Sequence, residues 1–350
     1  MKPALQARHR LAVLAAGLVL GGAARGAAPS PRAAEPARLA AHSLLIAIAA
    51  AGERLVAVGD RGIIVWSDDR GASWTQAAAV PTQVLLTGVC FADAQHGVAV
   101  GHDEAIIITA DAGRTWQLAH YAPQAQRPLL DVWCGDGGRV IAVGAYGAYF
   151  TSSDNGATFR EDKFSAAAPP HAAHPPPKAG PAADEGGAAP DYHLNRIVAA
   201  GGARLYIAAE AGHLYRSDDG GAHWQQLASP YEGSFFDVLP LGGDTLLAFG
   251  LRGNLYRSED AGASWHRLDS GTLAMLDGGA TFGASGVAIV GLSGAVLVSH
   301  DGGRSFVLAQ QADRSGLSAA LALDAQRLAV VGETGARLIG VDAAAGAGGR

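Results

Sequence analysis

The sequence predicts an all-β fold: a seven-bladed β-propeller of four-stranded blades, its ring closed by an N-terminal strand. Three observations carry this reading. One turn motif recurs six times at near-regular spacing, a second motif recurs seven times just ahead of it, and glycine, at 48 of 350 residues, is roughly twice its usual frequency.

The turn motif reads Ser/Thr-x-Asp-x-Gly-x-x-Trp/Phe and occurs as SDDRGASW, TADAGRTW, SSDNGATF, SDDGGAHW, SEDAGASW and SHDGGRSF. Its aspartates are Asp69, Asp111, Asp154, Asp219, Asp260 and Asp301, at intervals of 42, 43, 65, 41 and 41 residues. The hydroxyl and carboxylate of such an Asp box accept bonds from turn N–H groups. The glycine takes a positive φ, and the aromatic residue packs between blades. Six aspartates in register read as structural, because a catalytic or calcium site needs residues that converge once.

The second motif is VGDRGIIV, VGHDEAII, VGAYGAYF, AAEAGHLY, FGLRGNLY, VGLSGAVL and VGETGARL. Each repeat therefore holds an apolar inner strand (LLTGVCF, LLDVWC, FFDVLPL), a second strand, a glycine-bearing turn, a third strand, the box, and a fourth strand. The seventh copy has no box after it, and the chain ends in VDAAAGAGGR, poor strand material. Residues 34–40 (AEPARLA) are expected to supply the missing outer strand, so the propeller spans 34–341. The one long interval is explained by residues 163–190, a Pro/Ala/Gly-rich stretch expected to form a mobile loop between blades 3 and 4. His171 and His174 within it lack ligand-type partners, and no metal or cofactor is expected.

The N-terminus carries Lys2, Arg8, His9 and Arg10, then LAVLAAGLVL and a run of small residues. This is the pattern of a secretory signal over residues 1–27, cleaved near Ala27 or Ala28, with the bacterial periplasm as the expected compartment. Export permits a disulfide between the two cysteines, Cys90 and Cys134. Aligning LLTGVCF with LLDVWC puts them at equivalent positions of neighbouring inner strands, pointing the same way, which favours two buried free thiols over a bridge. A net charge of −6 and the lack of a clustered basic face exclude nucleic-acid binding.

The stretch HGVAVG, the turn VGDRG and the boxes SDDGGAHW and SHDGGRSF resemble the photosystem II stability/assembly factors, which are lumenal seven-bladed Asp-box propellers. The resemblance covers residues 34–341 apart from the Pro/Ala stretch. It implies a non-catalytic assembly factor that binds a membrane-complex protein through an arginine-bearing face. Only Arg61 and Arg252 match the arginine of the family's Gly-x-Arg-Gly turn; the other blades depart from it.

In such a fold the turns between second and third strands share one face with the links between blades, and the boxes occupy the other. The turn face is thus expected to carry Asp60, Arg61, Tyr146, Glu210, Arg252 and Glu333 as candidate partner-binding residues, with His102, Asp103 and Glu104 nearby. Thr87, Asp131, Asn195, Asp237 and Asp277 are expected at the channel mouth. The favoured reading is a monomeric protein-binding platform. The alternative is an exported sialidase-like glycosidase or polysaccharide-active enzyme; for a sialidase-like site Arg61, Arg196, Arg252, Tyr146, Glu210 and Asp103 supply the residue types but show no spacing that brings them together. The Arg-Ile-Pro signature of sialidases is absent.

Overall fold

The computed structural model describes residues 31–169 and 192–341. The expected signal segment, most of the Pro/Ala stretch and both of its histidines lie outside the described residues.

Seven antiparallel blades form a ring. Blade 1 comprises β1 (Leu45–Ala51), β2 (Arg54–Gly59), β3 (Ile64–Ser67) and β4 (Thr75–Gln76). Blade 2 comprises β5 (Leu86–Phe91), β6 (Gly97–Gly101), β7 (Ile106–Thr109) and β8 (Gln117–His120). Blade 3 comprises β9 (Leu129–Cys134), β10 (Val140–Gly144), β11 (Tyr149–Ser152) and β12 (Arg160–Glu161), and a short strand β13 (Ala166–Ala167) follows it. Blade 4 comprises β14 (Leu194–Ala199), β15 (Leu205–Ala209), β16 (Leu214–Ser217) and β17 (Trp224–Gln226). Blade 5 comprises β18 (Phe235–Gly242), β19 (Thr245–Gly250), β20 (Leu255–Ser258) and β21 (His266–Leu268). Blade 6 comprises β22 (Leu276–Phe282), β23 (Gly286–Gly291), β24 (Ala295–Ser299) and β25 (Val307–Gln310). Among the described residues blade 7 has three strands, β26 (Leu317–Ala322), β27 (Arg327–Gly332) and β28 (Gly335–Gly340).

There is no central core. Seven buried clusters lie one at each seam between neighbouring blades. The box turns hold these seams at the outer ends of the third strands. In blade 1, Ser67 Oγ donates to Asp69 Oδ1 at 2.7 Å and accepts from Gly71 N at 2.8 Å, while Asp69 Oδ1 accepts from Ser73 N at 2.9 Å. The same bonds recur at Asp111, Asp154, Asp219, Asp260 and Asp301. These bonds hold Asp69 and Asp154 down at about 2, well below the usual carboxylate range, with the neighbouring Ser73 and Thr158 as the first cause. The box glycine is needed twice over: φ is +82° at Gly113, and a Cβ there would sit 3.2 Å from Val56 of the preceding blade.

The ring closes differently from the expectation. Residues 34–40 form no strand and do not complete blade 7. They run along the outer edge of blade 1, where Ala34 N donates to Val80 O, Ala37 N donates to Gln76 Oε1, and Gln76 Nε2 donates to Glu35 O. Pro36 lacks an N–H and the Ala37 N–H is taken by a side chain, so a ladder cannot form. Closure comes from packing: Leu45, Ala57 and Val65 of blade 1 meet Ala319 and Val331 of blade 7. The box glycine of blade 1, Gly71, sits against Leu338, and Arg70 pairs with Asp324 at 3.3 Å.

The described start of the Pro/Ala stretch also departs from the expected loop. Phe164 is 2% exposed and joins Ile141, Tyr149, Tyr215 and Trp224 in the seam between blades 3 and 4. The next residues, Ala166 and Ala167, pair parallel with Trp224 and Gln225 and add a fifth strand to blade 4.

Cys90 and Cys134 are joined in a disulfide, with Cα atoms 5.6 Å apart, which corrects the expectation of free thiols. The cause is a register error of one residue. Leu86 pairs with Gly101 as Leu129 pairs with Gly144, so Cys90 is equivalent to Trp133 and Cys134 to Phe91. Side chains alternate along a strand, so an offset of one turns the two sulfurs toward each other.

Two stability predictions follow from these seams. Phe164→Ala is expected to destabilise the protein by about 3–5 kcal/mol, the usual loss for a buried phenylalanine; denaturant melting with an unchanged midpoint would return this residue to the loop. Ser217→Ala is expected to cost about 1–3 kcal/mol, because the Gly221 N–H loses its acceptor, and the same melts measure it.

Candidate functional site

The turn between second and third strands shares one backbone bond in every blade. Its first residue (Asp60, His102, Ala145, Glu210, Leu251, Leu292 or Glu333) donates its backbone N–H to the carbonyl just ahead of the inner strand, at 2.9–3.2 Å. This close approach explains the glycine that ends six of the seven second strands: a Cβ on Gly59 would lie 2.1 Å from Leu44 O. The second residue is the tip. Arg61, Asp103, Tyr146, Ala211, Arg252 and Ser293 all hold φ between 51° and 59°, a region that costs a non-glycine residue about 1–2 kcal/mol.

The six candidate residues divide by position. Arg61, Tyr146 and Arg252 are tips and project from the face, with the Arg61 side chain 82% exposed and Tyr146 52% exposed. Asp60 lies 3.5 Å from Arg61 on the same turn. Glu210 and Glu333 bend back onto their own blades, where their Oε2 atoms accept from His193 N at 3.1 Å and Gly316 N at 2.8 Å. Glu210 also lies 3.3 Å from the His193 ring, against which Tyr146 packs edge-on with centroids 5.0 Å apart. Tyr192 stacks on His213 at 4.1 Å. Leu273 and Leu292, both exposed, stand on the same face in blade 6 and the link before it.

The third turn position is glycine in every blade except blade 2. Glu104 takes the third turn position at φ +51°, and its buried carboxylate accepts from Arg127 Nε at 2.6 Å. Arg127 reaches on to Glu161 of blade 3 at 2.8 Å.

The channel mouth lies one to two residues inward from this face. Every inner strand carries a register irregularity at its start, at Ile46, Thr87, Leu130, Asn195, Phe236, Asp277 and Ser318. Asp131 and Asp237, expected at this level, stand one residue further along. From these positions four consecutive seams are latched. Thr87 Oγ1 donates to Leu129 O at 2.7 Å, Asp131 Oδ2 accepts from Ile197 N at 3.0 Å, Asn195 Nδ2 donates to Phe235 O at 2.7 Å, and Asp237 Oδ2 accepts from Gly279 N at 3.2 Å. Arg196, on the blade between the two acids, has its Nε 3.5 Å from Asp131 and 3.6 Å from Asp237. Burial pushes Asp237 up to about 7, the nearby Asp131 adding to this and Arg196 opposing it. Burial also pushes Asp277 up to about 7, with Asp237 as the second cause. The sequence pattern did not show that these residues form one cluster.

A cleft of about 740 Å³ opens between blades 3 and 4, lined by Arg139, Tyr149, Arg160, Asp162, Phe164 and Trp224. It contains none of the candidate residues.

No protein-family profile matches the chain, and no curated protein matches it in sequence. Solved structures match it as a fold. One described as YCF48 bound to D1 peptide is 15% identical, covers 89% of this chain and 99% of its own, and superposes with a TM-score of 0.66. YCF48 from Cyanidioschyzon merolae is 14% identical over 85% of this chain and 95% of its own, at 0.60. A GH74 xyloglucanase from Xanthomonas campestris is 15% identical over 85% of this chain but 52% of its own, at 0.63. At these identities the likeness establishes the propeller alone.

The buried acids give a pH prediction. Asp237 titrates near 7 when folded against an ordinary value of 3.8, so folding takes up protons between those values. The stability this group contributes is therefore present below about pH 4 and is lost as pH rises through about 7. Asp237→Asn removes the loss and keeps an acceptor for Gly279 N. Between about pH 5 and pH 8 the variant is expected to gain roughly 1–4 kcal/mol on the parent. Parallel melting curves for the two proteins would refute this.

Proposed function

We propose that the chain is an exported, non-catalytic propeller that docks a protein partner on its turn face. The observation that carries this reading is the row of strained, side-chain-bearing tips. Six non-glycine residues hold a costly backbone conformation at the outermost point of the face. Among them are two arginines and a tyrosine, residue types enriched at binding hot spots. Arg61 is on blade 1, Tyr146 on blade 3 and Arg252 on blade 5, so they are spaced round the axis and suit a partner that spans the face. The solved YCF48 bound to D1 peptide supports the idea that a ring of this shape holds a polypeptide.

The same placement weighs against a glycosidase. A carboxylate clamp needs three converging arginines, whereas Arg61 lies beside Asp60 on its own turn and Arg196 lies between Asp131 and Asp237. The aspartates of the box turns hold their own loops.

The test is the double substitution Arg61→Glu with Arg252→Glu. Both side chains are at turn tips, so the melting temperature is expected to stay within a few degrees of the parent's, about what a surface change allows. Proteins recovered with the parent from a periplasmic extract, identified by mass spectrometry, are expected to be lost. Retention of those proteins, or hydrolysis of sialosides or xyloglucan by the purified parent, overturns the proposal.

A further inference from the structure

We infer that the channel mouth on the turn face is a receptor for one cationic side chain, a lysine or arginine presented by the docked partner. This rests on the reading of that face as a docking surface and adds the chemistry of the residue that enters it.

The inner strands set three carboxylates, Asp131, Asp237 and Asp277, against one guanidinium, Arg196. The other inner-strand positions at this level, Ile46-Ala47, Thr87-Gly88 and Ser318-Ala319, carry no ionisable group. Acid thus exceeds base by two groups. A second observation points to a missing cation. The Asp237 side chain is 3% exposed, yet its Oδ1 accepts no hydrogen bond. Arg196 Nε faces it from 3.6 Å, beyond hydrogen-bond reach. Buried carboxylate oxygens normally have a donor. Arg196 is held to both acids by charge alone, is itself 29% exposed, and can swing aside to admit a donor from the axis. Among the described residues no three His, Cys, Asp or Glu side chains surround a point suited to a metal ion, which favours an organic cation. Burial first, and then repulsion from the neighbouring acids, raises Asp237 and Asp277, and Arg196 offsets this only in part.

The experiment uses the full chain labelled with 13C at aspartate carboxyls, titrated by NMR with N-acetyl-arginine methylamide. The uncharged citrulline derivative and sodium chloride at matched ionic strength serve as controls. The arginine derivative is expected to lower the Asp237 and Asp277 midpoints by about one unit, saturably, because it binds the ionised pair. The citrulline derivative is expected to leave them in place. Asp277→Asn, at a partly buried position, is expected to weaken the arginine derivative about tenfold, the size of a close charge interaction lost. No shift, an equal shift with salt, or a larger shift with calcium chloride overturns the inference. The probe needs no partner, so its failure leaves the docking face to be judged by the double arginine substitution alone.

Discussion

Everything in this molecule depends on how closely one blade can approach the next. Each blade is a small sheet with apolar residues on both sides, and it is stable only when both sides are covered. The box turn sets the approach. Its serine or threonine and its aspartate satisfy the turn's own N–H groups, and its glycine then lets the backbone lie against the preceding blade. Gly113 on Val56, Gly156 on Val98 and Gly221 on Ile141 repeat one contact around the ring. The seam clusters follow from that spacing, and the turn face is held rigid by them.

Rigidity on one face frees the other. The box aspartates are fully engaged, while the side chains at the turn tips Arg61, Tyr146 and Arg252 are not members of the buried seam clusters. Arg61, Tyr146 and Arg252 can therefore differ from blade to blade without disturbing the fold, which is the arrangement a binding surface requires. The axis is the exception. There the same side chains that latch the blades, Asp131 and Asp237, also create a concentration of negative charge beside the face.

The parts legible in the sequence were those fixed by local chemistry. The box and the glycine before the turn announce themselves because no other residue meets their backbone demands, and they were enough to give the number of blades. Register was not legible. Leu85-Leu86 and Leu129-Leu130 align equally well in two ways, and a shift of one residue hid both the disulfide and the inward offset of Asp131. Phe164 was masked by the proline and alanine around it, since its partners come from two blades. The final outer strand was expected from counting, but Pro36 and the Gln76 side chain settled that segment elsewhere. The cluster around Arg196 was invisible because its members are 40 or more residues apart and meet only through ring closure.

Among the described residues the axial latches run across the seams from blade 2 to blade 6 and stop there. The disulfide and the β13 strap reinforce two of the same seams, while the junction of blades 7 and 1 has neither. The ring is thus a stiff arc fastened by a softer clasp. Thermal breathing should open it at the clasp, fanning blades 1 and 7 apart while blades 2 to 6 move as one body. An amide in β27 or β2 would then exchange with solvent sooner than its counterpart in β15, although beyond Arg327 the three strands are buried alike.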